Sequence, residues 1–143
     1  MVGVATRRHK HLALIIAREL ASQLSTATFI ADADGNVVFY NEAAEEILGR
    51  TYAEAGAMPA SAWPSLFRIE ALDGTPLPLE KLPGGIALTE RRPAHDRICI
   101  VGLDGKRRVI SVTAIPLFAH PTEVVGMVAH FWEDEPHEHD GRP

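Results

Sequence analysis

The sequence predicts an α+β domain: two strands, short helices and three antiparallel strands, preceded by one amphipathic helix. Three observations predict it. Residues 28–49 (TFIADADGNVVFYNEAAEEILG) read as strand, tight turn, strand and capped helix. Residues 95–132 contain three successive runs rich in β-branched and aromatic residues, as strands require. Residues 8–24 place Leu12, Ile16, Leu20 and Leu24 four apart, which is a helical period. With 143 residues, 46% of them apolar and 23% charged, the chain has the size and composition of one folded domain with its own core.

In chain order, the first helix adds Ile15 beside its stripe, and alanines at 13, 17 and 21 allow another surface to come close. It either lies on its own domain or shares the stripe with a second copy, which makes Leu12, Ile16, Leu20 and Leu24 a candidate dimer interface. It is too short to zip a dimer unaided. In the hairpin, Asp34-Gly35 supplies the turn, because Gly tolerates positive φ. Asn41 ends the second strand and is placed to cap a helix, with Glu42 and Glu45 near the positive helix end. Ala43, Ala44, Ile47 and Leu48 give that helix an apolar face, and Gly49 suits its left-handed stop. Thr51 and Glu54 have capping-box spacing, but Gly56, Pro59 and Pro64 keep any helix there brief. Residues 56–68 therefore read as a loop, fastened to the core by Trp63 and Phe67.

Asp73-Gly74 opens a turn, and Thr75–Pro78 is extended because residues before proline avoid the α region. Pro83 suits the first position of a helix through Ile86, Ala87, Leu88 and Glu90. Gly84-Gly85 costs that helix about 1 kcal/mol each relative to alanine. Either the helix starts only after Gly85, or the missing side chains let a ligand or another backbone approach. The last third predicts strands over 95–103, 107–118 and 124–132. On the middle one, Ile110, Val112 and Ala114 face one way while Val109, Ile115 and Leu117 face the other. A sheet apolar on both faces must be covered on both, so the first helix is expected to cover the second face. Residues 135–143 are polar and are expected to form a disordered tail.

The chemistry of most enzyme classes is missing from the sequence. There is no phosphate-cradling GxxxxGK[ST] or GxGxxG, no GxSxG elbow and no HExxH. His137 and His139 sit on the tail without the rigid partners a metal site needs, so no metal is expected. His95 and His130 lie on strands, and Cys99 reads as a small apolar filler. The net charge of −5 argues against a nucleic-acid surface. A single cysteine excludes an internal disulfide and fits a reducing compartment. Arg7, Arg8 and Lys10 ahead of Leu12–Ala17 look like the start of a signal peptide, but the run is six residues long and no cleavage site follows. No stretch nears the roughly 20 apolar residues of a membrane span, and a cytoplasmic protein is expected.

Three patches resemble the PAS (Per-Arnt-Sim) domain family. They are FIADADGNVVFYNEAAEEILG at 29–49, LDGTPLPLEKLPGGIAL at 72–88, and LDGKRRVISVTAIPL followed by VVGMVAHFWED. The resemblance divides the chain into a flanking helix at 1–24, a PAS domain at 25–134 and the tail. It implies a five-stranded antiparallel sheet in the order 2-1-5-4-3, with helices over one face and a cavity between the layers. It also implies a sensory or dimerising module that signals to an output domain. The chain departs from the family's flavin-binding branch, having no reactive cysteine in a helix, so no flavin motif is present. It departs from the haem branch in having no histidine in residues 79–90, which leaves His95 or His130 as the only weak haem candidates. The chain ends at Pro143 without an output domain, so either a separate signalling protein is the output or the chain is a fragment.

The expected function is thus a non-enzymatic sensory module that binds a small, mostly apolar ligand in its core. The alternative is a ligand-free dimerisation module. Strand and helix faces nominate Ile30, Val38, Ile47, Leu48, Ile86, Ile98, Ile100, Met127 and Ala129 as ligand contacts. A one-residue slip in strand register would exchange the faces.

Overall fold

In the computed structural model, residues 2–49, 58, 59, 62, 68–101 and 105–134 are described. The expectations for Thr51, Glu54, Trp63, Phe67 and the tail lie outside these residues. The elements are α1 (Val2–Ser22), β1 (Ala27–Asp32), β2 (Val37–Tyr40), α2 (Glu42–Leu48), a 3-10 turn (Leu79–Lys81), α3 (Pro83–Glu90), β3 (Ala94–Val101), β4 (Arg107–His120) and β5 (Glu123–Glu133).

The β1–β2 hairpin closes through Asp32. Its carboxylate accepts the backbone N–H groups of Asp34 and Asn36, each at 3.0 Å, while its own N–H donates to the Asn36 carbonyl at 2.9 Å. Asn41 caps α2 by accepting the Ala44 N–H at 3.0 Å, and α2 ends at Gly49 with φ of 82°, the left-handed stop. The sheet is antiparallel throughout, in the order β2-β1-β5-β4-β3.

Two layers cover this sheet. On its inner face lie α2, the 3-10 turn and α3; Ala44, Leu82 and Ala87 are buried there against Ala31, Ala114, Met127 and Ala129. On the outer face lies α1, running across β1, β5, β4 and β2. It docks where Gly126 leaves a notch: a Cβ on Gly126 would stand 3.0 Å from Leu14 Cδ2. Further along, the Arg18 guanidinium sits 4.9 Å from the centre of the Phe39 ring. Beneath α1, Thr28 and Ile30 are fully buried.

The helix at Gly84-Gly85 begins at Pro83, ahead of both glycines. A Cβ on Gly85 would stand only 2.0 Å from the carbonyl oxygen of Leu79, so Gly85 is the point where the 3-10 turn packs backbone to backbone against α3. Gly84, in contrast, is buried on a cavity wall. The first helix covers the outer face, but with the side opposite its leucine stripe. Leu12, Ile16 and Leu20 are 52%, 58% and 61% exposed, whereas Ala21 is buried.

Candidate functional site

The inner layer does not fill the space above the sheet. Where α3 packs on β3, β4 and β5, the fill is complete, and Met127, Ala129 and Ala114 have no exposed surface. Beyond the N-terminal end of α3 the glycine offers no side chain, and a cavity of about 70 Å³ opens between α2, the α3 start and the sheet. Its floor is Phe29 of β1, Val37 and Tyr40 of β2, Ile98 and Ile100 of β3, Ile110 and Val112 of β4, and Phe131 of β5. Its roof is Leu48, Met58, Ile69, Leu82, Pro83 and Gly84. Phe29 and Phe131 meet edge to face, with ring centroids 6.0 Å apart, and set one wall.

None of these side chains is charged; the Tyr40 hydroxyl and the Met58 thioether are the only heteroatoms the lining side chains carry. An ion placed there would lose its hydration without a partner, which costs several kcal/mol, so the walls select a neutral occupant. The volume of about 70 Å³ is below the ~300–1,000 Å³ of pockets for drug-sized ligands. It is about half of the ~150 Å³ of an engineered apolar cavity that takes benzene or xenon.

Leu48, Ile98 and Ile100 are the nominated residues that line this cavity. Ile30 lies on the outer face under α1: it pairs with Val128 and Phe39, one residue out of phase with Phe29. Val38 is displaced by a register shift, since Ile30 pairs with Phe39 but Ala31 pairs with Val37. Ile47 packs beside the core, and its carbonyl accepts from Arg108 at 2.9 Å. Ile86 is half-buried and lines no part of the cavity. Met127 and Ala129 are on the inner face but lie outside the lining, in the part of the sheet that α3 covers. Val37 and Tyr40 also line the cavity, because the bulge at Val38 puts both on the inner face, and Phe29 does so by the phase of β1.

His95 and His130 stand on the outer face, opposite the cavity. His130 Nδ1 is 3.0 Å from the Thr28 hydroxyl, and His95 Nδ1 is 2.7 Å from the Thr113 hydroxyl. Neither is aimed at the inner space, so haem held through them in the cavity has no geometric support. Cys99 is buried as a free thiol. At the end of β5, the Asp134 carboxylate accepts from Arg97 Nε at 2.7 Å and from the Ser111 hydroxyl at 3.0 Å, which holds it below the usual carboxylate range. Among the described residues there is no cluster of three metal-binding side chains, and no helix long and apolar enough to cross a membrane.

The family model for the PAS fold matches residues 17–57. No curated protein matches the chain. Among solved structures it is similar to the PAS domain of Bordetella pertussis BvgS, at 18% identity and a TM-score of 0.58, with 87% of each chain covered. It is also similar to the Rhodobacter sphaeroides LOV protein, at 11% identity and a TM-score of 0.66, over 86% of this chain and 68% of that one. A third is the PAS domain of the fruit-fly ELK potassium channel, at 12% identity and a TM-score of 0.66, over 84% and 95%. At these identities the likeness is one of fold. PAS domains are in general non-catalytic sensory and regulatory modules. The matched opening, the strand order and the helices over the inner face agree: the chain has the PAS fold.

Proposed function

We propose that this PAS-fold domain is a sensory module whose core takes a small, neutral, apolar molecule and whose output is a separate protein. One observation carries the reading: a cavity whose described lining residues are all uncharged, and whose wall at the first turn of α3 is Gly84, without a side chain. The volume favours an occupant of a few heavy atoms; a larger one requires α3 to move outward. Native mass spectrometry of the freshly purified protein tests this, with excess mass lost on denaturation expected. A bare-chain mass, together with a melting temperature unmoved by saturating small hydrocarbons, would overturn it, since any ligand of the folded state stabilises by mass action.

A second reading is favoured by a separate observation. Leu12, Ile15, Ile16 and Leu20 are exposed on α1, and Ile115 and Trp132 are exposed on the outer face of the sheet, at 41% and 45%. A second copy covering this surface would make the chain a homodimer, with Leu24 at the edge of the contact. The two readings are compatible, one using the inner face of the sheet and the other the outer.

A further inference from the structure

Asn41 is 3% exposed, and both ends of its carboxamide are occupied. Oδ1 accepts the backbone N–H of Thr28 and of Ala44, each at 3.0 Å. Nδ2 donates to the carbonyls of Ala21 at 2.9 Å, Thr26 at 3.0 Å and Leu24 at 3.3 Å. Its two hydrogens serve three acceptors, so one bond is shared. The orientation is dictated by these partners: a flipped amide would aim its oxygen at three carbonyls. Ala21 lies in the last turn of α1, and Leu24 follows its end. The C-terminus of α1 is therefore gripped by the residue that caps α2.

The same residue sits beside the cavity. Tyr40, its chain neighbour, is a cavity wall; so is Phe29, the neighbour of the Thr28 whose N–H it holds. Phe29 and Tyr40 are paired across β1 and β2. Asn41 and the Thr28 that it holds are thus each one residue from a wall that an occupant would press. Further up α1, Leu14 lies over the Gly126 notch and Arg18 over Phe39.

We propose that Asn41 is a latch between the cavity and α1: an occupant that displaces Phe29 and Tyr40 changes the grip on Ala21 and Leu24 and so the docking of the helix. The grip itself needs no ligand; the response to an occupant rests on the cavity reading proposed above. An occupant shifts the docked helix only insofar as it binds the two states differently.

Asn41→Asp keeps the oxygen that Thr28 and Ala44 use and replaces the donor with a second acceptor facing three carbonyls. The experiment is amide hydrogen exchange on the full chain, wild type and variant, with xenon under pressure as the probe and the methyl resonances of Leu48, Ile98 and Ile100 as the occupancy readout. The expected result is at least tenfold faster exchange at 14–24 in Asn41→Asp, with β4 and β5 amides unchanged. In wild type, xenon that shifts those methyls is expected to alter exchange at 14–24 severalfold, and in Asn41→Asp not at all. Unchanged exchange at 14–24 in the variant would overturn the latch. Xenon-shifted methyls with α1 exchange constant in wild type would overturn the coupling. Methyls that never shift would instead overturn the cavity reading and the response built on it, with the variant still deciding the grip. If Asn41→Asp lowers protection everywhere, Asn41→Ser, which keeps a cap oxygen without the donor, replaces it with the same expected result.

Discussion

Gly85→Ala is the substitution whose outcome the structure constrains most tightly. The added Cβ would lie 2.0 Å from the Leu79 carbonyl oxygen and 3.0 Å from the Leu79 carbonyl carbon, both backbone atoms that no rotamer change can move. That carbonyl already accepts the Leu82 N–H at 3.1 Å, closing the 3-10 turn, so pushing it away strains the bond that leads into α3. Overpacking of this kind costs about 1–3 kcal/mol, and a weakened hydrogen bond about 1 kcal/mol. Alanine returns about 1 kcal/mol through helix propensity. The net expectation is a destabilisation of about 1–3 kcal/mol, read as a lower urea midpoint at unchanged m-value. Gly84→Ala, at the neighbouring position on the cavity wall, is the comparison: helix propensity favours alanine there by about 1 kcal/mol, without the Leu79 contact found for Gly85. A Gly85→Ala protein as stable as wild type would refute the backbone-contact argument.

Gly126→Ala brings a Cβ to 2.4 Å from the Ala31 carbonyl oxygen and 3.0 Å from Leu14 Cδ2. It is expected to cost about 1–3 kcal/mol and to speed tryptic cleavage at Arg18 as α1 lifts. Ile16→Asp with Leu20→Asp alters only exposed positions, so monomer stability is expected to change by less than about 0.5 kcal/mol per site. On a sizing column the pair is expected to convert a dimer to a monomer; an unchanged elution volume would exclude the stripe as the interface. Asp134 is held below the usual carboxylate range by Arg97 and Ser111, so its contribution is present in full above about pH 4 and is lost as pH falls through the folded value. Asp134→Asn is expected to flatten the fall in stability below pH 4, by urea titration at several pH values.

The sequence alone determined the elements whose cause is local. The Asp34-Gly35 turn, the Asn41 cap, the Gly49 stop and Pro83 at the first turn of α3 each act within a few residues, and so were legible without a partner surface. The long alternating strands determined β3, β4 and β5, and their apolar outer face required a covering helix. Tertiary structure decided what depends on phase and on distant backbone. The phase of β1 put Phe29 on the cavity and Ile30 under α1, and a register shift at Val38 let both Val37 and Tyr40 face the cavity. The cover supplied by α3 left Met127 and Ala129 outside the cavity lining although they face the right way. Adjacent glycines acquired different roles because the Leu79 carbonyl meets Gly85 while Gly84 lines the cavity. And α1 docks through Leu14 and Ala21, leaving its leucine stripe outward, because Gly126 offers the notch on that side. Local signals specify which residues form an element; only packing specifies which side of it is spent on the core.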